Sequence, residues 1–221
     1  MKRRIKLILG ASTVALIAVG GGGAAQAQSE SVGSHRTVTL SANLTELNGS
    51  GASGTVTADL RNRRIQHIEV HASGLTPDAP HAQHIHFGNQ ALHECPTLAL
   101  DSNADGRLNT AEGIPAYGPI VVSLTTAGDT SPASGLAVDR FPVAENGSYD
   151  YSRDRFRITT AVEGMTAKEI ADGIRAGQGV VVIHGIDYNG NGVYDFSQGA
   201  SELDPSLPAE ATDPAACGVL E

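Results

Sequence analysis

Apolar residues fall on every second position in three early stretches: Val38, Leu40, Ala42 and Leu44, then Val56, Ala58 and Leu60, then Ile68, Val70 and Ala72. A period of two buries one face of an extended chain and leaves the other wet, a pattern that a helix cannot satisfy. Further strands are expected over Ala82 to Phe87, Ile120 to Thr125 and Tyr149 to Ile158, and in the continuous apolar run Val180 to Ile183, with clusters of Gly, Pro, Asn and Asp marking the turns. Many short strands with little helical pattern predict an all-β fold, an antiparallel Greek-key barrel or sandwich. One short helix is expected where Thr166 and Glu169 form a capping box, Ile170 and Ile174 make an apolar face, and Gly177 ends it.

Ahead of these strands, Lys2, Arg3, Arg4 and Lys6 precede an apolar run from Leu7 to Val19 and then Ala25-Gln26-Ala27, the order of an export signal with a small-x-small cleavage site. Residues 1–27 are therefore expected to be a removable leader, 28–35 a flexible lead and 36–221 a single domain in a secreted, extracellular protein. The apolar run is too short for a spanning helix. Without the leader, eleven basic residues face 24 acidic ones, a net charge of −13. That surface disfavours nucleic acid and anionic membranes as partners and favours divalent cations. Cys95 and Cys217 are the only cysteines. In an oxidising compartment they are expected to pair, the alternative being two unpaired buried thiols.

The stretch from Gly88 to Gly118 shows no strand period and is longer than an ordinary connection, which marks it as a functional or metal-ordered loop rather than a passive one. Within it, Asp101, Asn103 and Asp105 supply oxygens at positions 1, 3 and 5 of a twelve-residue calcium loop. Gly106, Arg107 (through its carbonyl), Leu108 and Glu112 fill positions 6, 7, 8 and 12. With Pro96 before it, and Gly113 and Pro115 after it, paired long helices are not expected, so the ion would be static rather than a sensor's. A second stretch, with Asp187, Asn189, Asn191, Gly192 and Asp195, repeats positions 1, 3, 5, 6 and 9 but has Gln198 at position 12. Its Asn-Gly steps also suit a tight hairpin, and the two readings stand side by side.

Histidines two apart on a strand share a face, so His84 and His86 can reach one ion, a donor pair that suits copper or zinc. His184 closes a buried strand elsewhere. His67 and His71 are expected in solvent. Arg153, Arg155 and Arg157 share a strand face and read mainly as protection of an exposed edge, with anion binding as the lesser reading.

Gly74-Leu75-Thr76, the step His81-Ala-Gln-His84-Ile-His86-Phe87-Gly88, Cys95, Val181-Val-Ile-His184 and the terminal Ala216-Cys217-Gly218-Val219 resemble copper/zinc superoxide dismutase. The opening strands, the histidine step and the helix before a histidine-ended strand are also similar to the chordin-type CHRD domain. The resemblance implies an eight-stranded Greek-key β-barrel and supports the Cys95–Cys217 bridge. It also implies that His84, His86 and His184 match three of four copper ligands, with His81 as a nearby structural histidine. Only His93 lies between His86 and His184, so the family's bridging imidazole and two zinc histidines cannot all be present. Pro214 stands where the family places its guiding arginine. The acidic loop falls where the dismutase keeps its zinc subloop, so calcium would take over that ordering task.

No Gly-x-Ser-x-Gly elbow, phosphate loop or His-Glu-x-x-His is present, and an aromatic sugar platform is poorly supplied by five Tyr, four Phe and no Trp. The leading expectation is a secreted, calcium-ordered, non-enzymatic β module with an extracellular partner and a three-histidine transition-metal site. The alternative is a copper-dependent dismutase-like enzyme or a copper/zinc-holding protein.

Overall fold

The computed structural model describes residues 36–221; the expected leader 1–27 and lead 28–35 fall outside the described residues. Eight strands form one antiparallel, curled sheet. In chain order they are β1 (Val38–Glu46), β2 (Ser53–Arg61), β3 (Arg64–Ser73), β4 (Gln83–His86), β5 (Ile120–Ser123), β6 (Ser148–Arg157), β7 (Val180–His184) and β8 (Pro214–Val219). Their spatial order is β5-β4-β7-β8-β1-β2-β3-β6. β1 meets β8 only at Thr45↔Cys217 and Glu46↔Ala216, so the sheet folds over along that seam into two four-stranded halves. The chain crosses between halves after β3, β5 and β6, the Greek-key manner of connection expected for an all-β domain.

The alternation read in the sequence becomes the core. Leu40, Ala42 and Leu44 of β1, Val56, Ala58 and Leu60 of β2, and Ile68, Val70 and Ala72 of β3 are all buried in one cluster with Ile85, Val181 and Ile183 from the other half. β7 is buried along its whole length. Val181 and Ile183 face this core, while Val180 and Val182 face a second cluster with Leu47, Tyr117 and Cys217. A continuous apolar run is what a strand covered on both faces requires.

Among the described residues, three short α-helices appear where one was expected. α2 (Ala167–Gly173) follows the expected capping box, with Thr166 and Glu169 each bonding the other's backbone. α1 (Thr110–Tyr117) is a correction: it starts inside the acidic loop and contains Pro115. Asn109 and Glu112 form a second capping box there, which nucleates the helix despite the proline. α3 (Ala209–Thr212) leads into β8. The Gly88–Gly118 excursion is clamped at Cys95 to Cys217 of β8, 122 residues away, so the cysteines are paired.

Among the described residues, no helix is long and apolar enough to cross a membrane.

Candidate metal centre

Register places the histidines. β4 pairs with β7 so that His84 lies opposite Val182 and His86 opposite Val180. Ile85 points to the core and the two imidazoles to the opposite face. His184 ends β7 on that same face. Each ring is almost completely enclosed, with 2%, 1% and 2% exposure for His84, His86 and His184.

One nitrogen of each ring is tied to a backbone carbonyl. His84 Nε2–H donates to Gly135 O (3.0 Å), His86 Nδ1–H to Gly118 O (2.9 Å) and His184 Nδ1–H to Thr212 O (2.7 Å). A carbonyl only accepts, so each bond fixes the tautomer and leaves the other nitrogen as a bare lone pair. Those remaining atoms, His84 Nδ1, His86 Nε2 and His184 Nε2, are buried and have no hydrogen-bond partner. The three residues offer ligand nitrogens within 4.8 Å of one another. An unsatisfied buried polar atom costs about 1–3 kcal/mol, so three together would consume much of a domain's stability unless something fills the gap between them.

Burial holds these rings neutral. It pushes His86 down to about 3, assisted by repulsion from His184. It pushes His184 down to about 4. His84 lies well below the ordinary imidazole range through burial and then through its neighbours His184 and His86. Neutral imidazole is the form that ligates a metal.

The roof over the site comes from segments with no strand character. Tyr117 of α1 packs on His86 at 4.4 Å between centroids and donates its hydroxyl to Thr110 O (2.7 Å). Phe141 lies edge-on to His84 at 5.4 Å. Thr110 donates its hydroxyl to Thr212 O (2.7 Å), the carbonyl that holds His184. Gly118 takes a φ of 86° and abuts the Phe87–Gly88 backbone so closely that a Cβ would lie 2.6 Å from Gly88 N; this approach aims its carbonyl at His86. Gly113 sits one helical turn before Tyr117, and a Cβ there would meet the tyrosine ring at 2.3 Å. A narrow apolar slot lined by Ile120, Leu136, Val138 and Leu203 reaches His84 and His184, with room for roughly one water.

His81 is fully buried and spans Thr76 O (3.1 Å) and His184 O (2.9 Å), the structural place expected for it. His67 pairs with Asp154 and Glu69, and His71 with Asp150, on the outer face of β3.

The acidic loops lie beside this centre. In the first, Asp101 accepts from Asp105 N and Gly106 N, Asn103 Oδ1 from Asp105 N and Asp105 Oδ1 from Arg107 N, so the side-chain oxygens turn inward. Glu112 Oε1 takes the position 2 amide (Ser102 N, 2.8 Å) and Oε2 the position 9 amide (Asn109 N, 3.1 Å). The Arg107 guanidinium bridges two carboxylates, Asp213 through Nη1 (2.5 Å) and Asp105 of the loop itself through Nη2 (3.2 Å).

The second loop folds the same way. Asp187 accepts from Gly190 N and Gly192 N, Asn189 Oδ1 from Asn191 N and Asn191 Oδ1 from Val193 N, while Asp195 Oδ2 receives both Asn189 Nδ2 and Asn191 Nδ2. It is no β-hairpin, because β7 ends at His184 and the next strand is β8.

The structure adds a residue that the sequence reading missed. Glu210 of α3, fully buried, reaches back with Oε1 on the position 2 amide (Tyr188 N, 3.3 Å) and Oε2 on the position 9 amide (Asp195 N, 2.7 Å). It does for this loop what Glu112 does for the first, and no nearby position-12 signal in the chain reveals it.

No family model matches the chain, and no curated protein does. Among solved structures, the chain is similar to Candida albicans superoxide dismutase 5. One such structure is a single-site variant (17% identity, 83% of this chain and 90% of that chain, TM-score 0.38), and another is described as the Cu(II) form (20% identity, 70% and 86%, TM-score 0.35).

Proposed function

We propose that this protein is an exported copper-holding β domain whose ion is carried by His84, His86 and His184. The observation that carries the reading is the set of three buried, partnerless imidazole nitrogens, each fixed in tautomer by a carbonyl behind it. Three neutral nitrogens with no carboxylate or thiolate suit copper or zinc rather than a hard cation. Copper is favoured because a dication in an enclosed site without a counter-charge is costly to desolvate, whereas copper has a monovalent state.

When bound, copper would supply a one-electron redox centre. The residues of this chain hold it and restrict access: Tyr117 and Phe141 cover the rings, and the apolar slot attracts no anion. Pro214 also stands where the resembled family carries its guiding arginine. We therefore read the domain as a holder of copper rather than a dismutase.

In the same reading, calcium orders the two acidic loops, through Asp101, Asn103, Asp105, the Arg107 carbonyl and Glu112 in one, and through Asp187, Asn189, Asn191, Asp195 and Glu210 in the other. The specific support is Glu210, a buried carboxylate with no cationic side chain paired to it among the described residues; buried charges are ordinarily paired or bound to metal.

The test uses residues 28–221, purified mildly, exposed to copper or zinc and dialysed. One copper per chain is expected to stay bound and to be lost in the H84A/H86A variant. No retained copper, or equal retention by the variant, would overturn the proposal. Rapid superoxide consumption by the copper-loaded protein would replace holding by catalysis.

A further inference from the structure

Six of the eleven basic residues beyond position 27 lie on β2, β3 and β6 or in the turn between β2 and β3: Arg61, Arg63, Arg64, Arg153, Arg155 and Arg157. The structure sorts them. Arg153 is tied to Thr125 O and Gly128 O and lies over Phe156, so its guanidinium is engaged. Arg61, Arg64 and Arg157 are direct cross-strand partners, Arg61↔Arg64 from β2 to β3 and Arg64↔Arg157 from β3 to β6. Partners on adjacent strands project from one face. The result is a row of three guanidinium groups about 10 Å long, two interstrand steps, with Arg63 beside it in the turn.

Like charges directly opposite each other destabilise a sheet. Edge protection accounts for Arg157, because β6 is an edge strand, but not for Arg61 or Arg64 on the interior strands β2 and β3. Among the described residues, the arginine ion pairs are those of Arg107 and Arg175; none neutralises this row. Arg64 spends one donor on Arg155 O and keeps the rest. Arg61, Arg63 and Arg157 are exposed and line one shallow depression with Asn62, Arg64 and Gln66. Further along the same face, Asp154, Glu69 and Asp150 take the histidines, which bounds the positive patch and repels any long anion lying along the strands.

We infer that the Arg61–Arg64–Arg157 row, with Arg63, is a binding site for a compact, multiply charged oxyanion of the phosphate or sulfate class. Planar guanidinium groups bind such tetrahedral oxygens in pairs. A chain with a net charge of −13 beyond its leader would repel extended polyanions everywhere else, so the occupant is either a small free anion or one charged end group on a glycan.

Calorimetric titration separates these sources, with inorganic pyrophosphate as one probe and an oligosaccharide bearing one terminal phosphate as the other. Saturable binding that weakens with rising NaCl is expected, reduced about tenfold or more by R61S/R157S, which removes two of the four guanidinium groups that would hold the anion. R63S, which touches no strand pair, should weaken binding as well. Preference for the oligosaccharide assigns a glycan end group, and preference for pyrophosphate a free anion. Without ligand, R61S/R157S should melt at or above the parent temperature, because repulsion is relieved. Absence of saturable binding to either probe, or equal binding by the variants, overturns the inference.

Discussion

Arg107 and Asp213 form an ion pair that ties position 7 of the first acidic loop to the residue following Thr212, whose carbonyl orients His184. Asp213 is fully buried, and burial raises its carboxyl to about 6 despite the guanidinium. R107M would leave that carboxylate unpaired. A loss of about 3 kcal/mol in urea unfolding is expected, the low end of the buried-pair range because Arg107 is 18% exposed. D213N in the same chain should recover most of it; no recovery would mean that Arg107 acts through packing.

Metal binding should release almost no protons at pH 6–7. His84, His86 and His184 are already neutral there, with His86 near 3 and His184 near 4. Copper titrations in buffers of different ionisation enthalpy should therefore give the same heat. A buffer-dependent heat amounting to a proton or more would place at least one of the rings in the charged state.

The metal-free domain should lose stability as pH falls below about 6.5. The unfolded chain takes up protons on these histidines near their ordinary value, while the fold refuses them until far lower, so their contribution is present above 6.5 and lost below it. Asp213 works the other way, costing stability as pH rises from its ordinary 3.8 through about 6. His81, lowered by its own burial, acts in the same direction as the three clustered histidines, while His67, raised by its bonds to Asp154 and Glu69, sides with Asp213, so four groups outweigh two. Thermal melts of the metal-free protein at pH 7, 6 and 5 should fall in that order.

E112Q and E210Q should each remove one calcium ion per chain, because each residue closes a different loop through the position 2 and position 9 amides. Affinities on the order of 10⁻⁴–10⁻³ M suit an extracellular module. If calorimetry showed E210Q binding as many ions as the parent, the closure of the second loop by Glu210 would have no role in binding.

Reduction of Cys95–Cys217 frees a loop spanning 122 residues. In the chain-entropy account this costs roughly 4–5 kcal/mol. Denaturant unfolding of C95A/C217A should show it, together with weakened copper retention, since β8 pairs with β7 and the clamp steadies the excursion that roofs the histidines.

The period-two strands were legible because each has one wet face, so burial is written as alternation. β8 was not, because Pro214 to Cys217 are all buried and carry no β-branched pattern. α1 was hidden by Gly113 and Pro115, which read as breakers, while its cap, Asn109 and Glu112, was absorbed into the calcium pattern. His84, His86 and His184, which the fold brings together, could be named in advance from strand spacing and the family resemblance. Their second partners could not: Gly118, Gly135 and Thr212 act through backbone carbonyls, which any residue possesses, and only the tertiary fold selects these three. Glu210 was invisible for a related reason, since it belongs to its loop in space and not in order.

The absence of a side chain at Gly113 has a bearing on the cover over His86. A methyl group there would strike the fully enclosed Tyr117 ring, which packs on His86 and would have to shift to make room. Tyrosine at 117 in this position therefore requires glycine at 113. Alanine at 113 would call for a smaller or displaced side chain at 117, and the face of His86 that the tyrosine covers would be the first part of the three-imidazole cluster to lose its roof.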